Sequence, residues 1–258
     1  MSQTQFSHSR VSTYESCPRQ FQYRYIDKLR TVHAPEADNA LINGNALHTG
    51  AEKGERAMLD WYFKQFSLID DDQINESMKL SVILPKLQQF LITLDGPFQH
   101  EYLIDQPGFK GFVDLIVGDG IVDLYDYKYS NNVDNYLKSA QLHLYKYYLE
   151  KEGFTVNRLG YVFVPKVATH GKYAKVKQRK DEDIYHFRKR FIEVVKQSEI
   201  RVEYVDYDFS KVEQFWKSIG HIEAVTHYPK NPTFLCDWCD YNRFCLHDED
   251  WMIIRPGE

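Results

Sequence analysis

The spacing of apolar positions changes along the chain, and each change marks a different kind of element. Residues 8 to 28 open with Ser and Thr suited to capping, then set Tyr14, Cys17, Phe21 and Tyr25 at helical steps, which predicts an amphipathic first helix. From Asn43 to Phe66 and from Asp72 to Leu94 apolar residues recur every three or four positions. This predicts a helical subdomain, inserted over about residues 51–95. After Gly96 the period drops to two. Phe98–Asp105, Phe109–Val117 and Ile121–Tyr129 predict three strands, the last two joined as a hairpin through Gly118-Asp119-Gly120. A helix from Asp134 to about Glu152, a strand over Leu159–Pro165 and a basic loop from His170 to Lys180 follow. A helix to about Ser198, a strand near Val202–Tyr207 and a helix to about His227 complete the body, and the tail after Pro232 is rich in cysteine. With no repeat or linker, the pattern predicts a single domain over residues 1–258. Its class is α/β, a mixed central sheet of about four or five strands flanked by helices.

Composition narrows the possibilities. At 258 residues and 43% hydrophobic content the chain sustains a substantial core, which argues against disorder. The formal charge of -5 means that affinity for nucleic acid must come from local basic patches or from bound metal. The start MSQTQFSHSR lacks an apolar signal core, and no stretch approaches the roughly 18 apolar residues needed to span a bilayer. The expectation is a cytoplasmic protein with no membrane partner. In a reducing compartment its four cysteines suit metal ligation or free thiols better than disulfides.

The hairpin carries the candidate chemistry. Asp114, Asp126 and Lys128 are all even-numbered, so strand alternation predicts that they share one face if no bulge intervenes. Pairing centred on Asp119 would set residue 114 opposite 124 and 112 opposite 126. The two acids are then diagonal neighbours, with Cβ atoms roughly 7 Å apart. Carboxylates at that separation suit a shared hard cation such as Mg²⁺ or Mn²⁺, next to which the Lys128 ammonium would face the charge of a phosphoryl transition state. A solvated hairpin face of mixed charge would show the same residues. Glu101 offers a further carboxylate or an outer acceptor, and His48 a nitrogen ligand. Gln141 and Tyr145, at i and i+4 on one helix face, suit phosphate binding or the steadying of Lys128.

Taken in order, His48, Glu101, Gly111-x-x-Asp114, Asp126-x-Lys128 and Gln141-x-x-x-Tyr145 resemble the RecB-like branch of the PD-(D/E)XK nucleases, which includes the exonucleases of CRISPR adaptation and the AddB nuclease domain. The resemblance implies a restriction-endonuclease-like fold and a metal held by His48, Asp114 and Asp126. It also implies catalysis by Asp114, Asp126 and Lys128 with Glu101, and DNA lying beside Gln141 and Tyr145. Val113 stands where the family's name places proline.

The cysteines extend the likeness. Cys236, Cys239 and Cys245 form C-x-x-C-x5-C, and the fourth, Cys17, is remote. Three clustered thiolates with one distant partner suit an iron–sulfur cluster better than the paired knuckles of a zinc site, and zinc is the alternative. Tyr14-x-x-Cys17-Pro18 and the C-terminal triplet also resemble the iron–sulfur version of these nucleases. The expectation is a [4Fe–4S] staple joining Cys17 to a segment over about residues 232–247. For DNA contact, Lys172, Lys175, Lys177 and Arg179 form a basic loop with Tyr173 interleaved, and Arg10, Arg19, Arg24 and Lys28 form a second patch. The implied activity is a metal-dependent exonuclease acting on single-stranded or frayed DNA, with 5′→3′ polarity carried by the resemblance alone. Recombination, helicase or CRISPR-adaptation proteins are the implied partners. An endonuclease of the same fold and a catalytically silent DNA-binding adaptor subunit are the competing readings.

Overall fold

The computed structural model describes residues 4–32, 35–168, 174 and 176–257. Helix α1 (His8–Ser16) starts at Ser7, whose hydroxyl accepts the Arg10 N–H, and stops at Cys17 in extended conformation. Pro18 then opens α2 (Pro18–Phe21), which runs into a π-helical turn over Gln22–Ile26. The single helix expected over residues 8–28 is therefore broken. Proline disfavours a helical conformation in the residue before it, and this takes Cys17 out of the helical stripe. After the short β1 (Arg30–Thr31) come α3 (Ala40–Lys53), α4 (Glu55–Phe63) and α5 (Asp71–Ile92). The Asn39 side chain caps α3, and an Asp70–Gln73 capping box starts α5. The first of these helices, α3, carries His48.

The sheet strands are β2 (Phe98–Gln106), β3 (Phe109–Asp119), β4 (Ile121–Tyr129), β5 (Thr155–Val164) and β6 (Arg201–Val205). They lie in the order β2-β3-β4-β5-β6, antiparallel except for the parallel pair β4–β5. A parallel pair needs a crossover, supplied here by α6 (Val133–Leu137) and α7 (Gln141–Lys151). One helix was expected over this stretch. Two form because the chain turns at residues 138–140, where the Ser139 hydroxyl accepts the Gln141 N–H at 3.2 Å. Helices α8 (Ile184–Lys196), α9 (Phe209–Ala224) and α10 (Asn242–His247) and strand β7 (Ile253–Ile254) follow, with β7 paired to β1.

Both sheet faces are covered. On one, α1, α7 and α9 enclose Phe109, Val113, Ile116, Leu124 and Tyr161, and the Phe109 and Tyr148 rings stack at 4.2 Å. On the other, Leu87 and Leu91 of α5 meet Leu115, Val117, Tyr125 and Val162. A third cluster lies among α3, α4, α5 and α8 and reaches the sheet at Tyr129 and Val164. Among the described residues no helix is long and apolar enough to cross a membrane.

Candidate active site

The hairpin turn is one residue out of the expected register. Asp119 pairs with Ile121 and Leu115 with Tyr125, so the centre is Gly120 rather than Asp119. That shift puts the row of Asp114 opposite Asp126, not diagonal to it. The β3–β4 ladder stops one row short, at Leu115–Tyr125, as β4 departs to pair with β5. Asp114 occupies the gap. Its Oδ2 accepts the Tyr127 backbone N–H at 2.7 Å, where a strand partner would otherwise bond.

The ladder on the other side of β3 is interrupted at the same row. His100 pairs with Leu115 and Tyr102 with Val113, but the Glu101–Asp114 row between them is left out, and Glu101 has φ 51. For a residue with a Cβ this left-handed conformation costs about 1–2 kcal/mol, a strain that surrounding structure must hold in place. Face alternation breaks here too. Val113 and Ile116 belong to the core on the α7 side, whereas Leu115 and Val117 belong to the core on the α5 side. The irregularity that the alternation argument excluded is therefore present, and it forks the hairpin. Glu101, Asp114 and Asp126 form one row across three adjacent strands at the fork.

Helix α3 brings His48 to this row. Its Nε2 is 3.5 Å from Asp114 Oδ2 and its Nδ1 3.2 Å from Glu101 Oε1, with the ring edge-on to Tyr127. Ligand atoms of His48, Glu101 and Asp114 lie within 4.8 Å of one another. Asp126 is fully buried and lies against Lys128, with Nζ 2.5 Å from Oδ2; among the described residues neither carboxylate oxygen makes a further hydrogen bond. Lys128 Nζ also donates to Gln141 Oε1 at 2.9 Å, and Gln141 Nε2 donates to the Tyr145 hydroxyl at 3.0 Å. Two subsets thus meet at Asp114: His48 with Glu101, and Asp126 with Lys128, Gln141 and Tyr145. Glu101, expected from sequence as a further carboxylate or an outer acceptor and, by resemblance, among the catalytic residues, is in the first of them. Gly111 is needed for the second, because a Cβ there would come within 2.8 Å of the Tyr145 ring.

Negative charge is in excess here. Burial, reinforced by the nearby Asp126 charge, pushes the Asp114 carboxyl up to about 7 against the pull of His48, Lys128 and the Tyr127 N–H. Burial alone would lower His48 and Lys128. The carboxylates outweigh it, through Asp114 and Glu101 for the imidazole and through Asp126 and Asp114 for the ammonium, so both groups are raised. Such an arrangement favours entry of another cation.

His8, which the sequence did not single out beyond its place near a cap, lies beside this cluster. Its Nε2 is 3.1 Å from the Ser139 hydroxyl, and burial followed by the Lys128 charge lowers it to about 4. It lines an open groove of about 930 Å³ that runs from Lys128, Gln141 and Tyr145 past Gly111 to Arg10 and Lys110. In the basic loop, Lys172 and Lys175, with His170 and Tyr173, fall outside the described residues. Lys177 and Arg179 are exposed, and their backbone bonds go to Arg190 of α8 and to Glu182.

All four cysteines line a single cavity of about 260 Å³ between α2, the 3₁₀ turn Phe234–Trp238 and α10. Burial, and then the proximity of Asp240, Cys17 and Cys236, raises the Cys239 thiol against the Tyr241 N–H. The two chain segments are also joined without the sulfurs, by Asn231 Nδ2 to Ser16 O, Arg19 N to Pro229 O, Tyr241 OH to Leu29 O and the β1–β7 pair.

A sequence model of the PD-(D/E)XK nuclease superfamily matches residues 5–246. The chain belongs to that superfamily. No curated protein matches it. A proposed exonuclease from Eubacterium rectale has a similar structure over 93% of this chain and 88% of its own, at 12% identity and a TM-score of 0.52; the likeness is one of fold. The structure of SSO0001 aligns over 94% of this chain and 86% of its own, at 11% identity and a TM-score of 0.40. The alkaline exonuclease LHK-Exo from Laribacter hongkongensis covers 69% of this chain and 84% of its own, at 11% identity and a TM-score of 0.34. PD-(D/E)XK nucleases use divalent metal ions. One imidazole and two carboxylates at mutual ligand distance, beside a buried carboxylate that lies against a lysine, are a donor set that fits a hard divalent cation.

Proposed function

We propose that this PD-(D/E)XK nuclease is a divalent-metal-dependent exonuclease that hydrolyses single-stranded or frayed DNA in the 5′→3′ direction. The observation that carries the reading is the forked-hairpin row Glu101–Asp114–Asp126, with His48 at one end and Lys128 at the other. His48, Glu101 and Asp114 would hold Mg²⁺ or Mn²⁺, with Asp126 next to them. A bound ion supplies Lewis acidity at the scissile phosphate. Asp126 keeps Lys128 charged, and Gln141, itself held by Tyr145, keeps it in place. The Lys128 ammonium meets the negative charge that builds on the phosphoryl group during hydrolysis. The groove past Gly111 supplies a path for one strand, lined with cations.

The test is incubation with Mn²⁺ of linear single-stranded DNA labelled at either end, alongside circular single strands. Linear DNA losing its 5′ label first, an intact circle, and loss of activity in Asp114→Asn are the expected results. A nicked circle would replace the exonuclease with an endonuclease, and no cleavage of either substrate would remove the reading.

The four cysteines fit an iron–sulfur cluster better than one zinc ion. All four cysteines line one cavity, three of them clustered in sequence and Cys17 remote. A [4Fe–4S] cluster, with one thiolate on each iron, can draw its ligands from segments this far apart in sequence, whereas zinc sites usually pair theirs into two knuckles. Its role would be to staple the two ends of the chain.

A further inference from the structure

Leu103 of β2 and Phe112 of β3 are cross-strand partners, yet they are 42% and 48% exposed. What sets this pair apart from the other exposed apolar residues is its place, as two facing side chains beside a polar centre. Their row is two residues from the Glu101–Asp114 row, about 7 Å along the strands. Val113 faces the α7 side, so alternation turns Phe112 to the opposite side. That is the side from which His48 approaches, since its ring rests on Tyr127 of the α5-side core.

On the groove side the platform meets positive charge. Phe112 lines the groove shared with Lys128, Lys110 and Arg10. Among the described residues Lys110 forms an ion pair with Asp105, at 3.8 Å, and both are about half exposed. The Arg10 guanidinium lies over the Phe6 and Tyr25 rings with its Nε unbonded. An apolar platform next to a phosphate-handling centre, continuous with a cationic groove, has the makeup of a site for one nucleic-acid strand.

We propose that Leu103 and Phe112 form a stacking platform for an unpaired DNA base next to the scissile phosphate, with Lys110 and Arg10 taking backbone charge. The inference rests on the nuclease reading and extends it to substrate choice. A base in a duplex has its faces covered by its neighbours, so only a single-stranded or frayed end presents one to Phe112.

The test is a binding cycle on the full chain, using a fluorescein-labelled oligo(dT) and a set carrying one abasic site at successive positions, with Ca²⁺ replacing the catalytic metal. Wild type should lose about tenfold in affinity when the abasic site falls at one particular position. Phe112→Ala should lose about tenfold on the intact strand and nothing more on that abasic strand, and Phe112→Trp should recover the affinity. Losses that multiply at every position, equal binding by Phe112→Ala and wild type, or no binding of the intact strand by wild type would each overturn the platform. Cleavage by wild type with Mn²⁺ is scored separately, so failure of the nuclease reading registers there and not in the binding cycle.

Discussion

Asp114→Asn should stabilise the metal-free protein above neutral pH while abolishing its activity. Burial and the neighbouring Asp126 raise Asp114 from 3.8 to about 7 in the folded chain. Between those values the unfolded chain has released the proton that the folded chain still holds, so stability falls as pH rises. A displacement of that size corresponds to about 4 kcal/mol once the pH exceeds 7. For a chain of this size, that is on the order of 10 °C in melting temperature. The assay is thermal or urea denaturation in EDTA from pH 5 to pH 8. Wild type should weaken across the range, Asp114→Asn should weaken much less, and Mn²⁺ should restore wild type at pH 8 but not the variant. At 100 times its dissociation constant the ion adds about 2.7 kcal/mol. Stability in EDTA that stays level or climbs with pH, or an Asp114→Asn slope equal to that of wild type, would refute the reasoning.

Three further outcomes are expected. Lys128→Met leaves Asp126 buried beside no cation and should cost about 3–5 kcal/mol in stability, whereas Lys128→Met with Asp126→Asn should regain most of that loss in a melt without regaining nuclease activity. Gly111→Ala drives a methyl against the Tyr145 ring, so about 1–3 kcal/mol of stability should be lost along with a fall in kcat, measured by denaturation and by oligonucleotide cleavage. Cys236→Ala should lose visible absorbance and become sensitive to protease, and an unchanged spectrum with normal stability would contradict a cluster at the four cysteines.

The sheet was largely legible in the sequence because its strands are short runs rich in β-branched and aromatic residues bounded by glycines. The limits predicted for β4, Ile121–Tyr129, are those observed. The turn was less legible. Gly118 and Gly120 both take positive φ, and glycine content alone does not say which residue the hairpin turns on. That one-residue difference separates diagonal acids from directly opposed ones. Acid, lysine and histidine candidates were readable as residue types, but the break at the Glu101 row was not, since nothing in a glutamate codes for φ 51. The interruption at Cys17 was legible, because Pro18 is the next residue, yet the helical stripe through Phe21 and Tyr25 masked it. Phe112 reads in sequence as one more apolar strand residue, and its exposure in the fold is what distinguishes it.

The fork between β3 and β4 also sets an order of assembly. β4 can leave its hairpin partner only when β5 is present to receive it, and β5 arrives after the α6–α7 crossover, more than twenty-five residues later along the chain. On a ribosome, the emerging hairpin would first close as a plain two-stranded ribbon with its acids unparted. Competence to cut would then appear abruptly, as the crossover docks, rather than growing with each strand that is made.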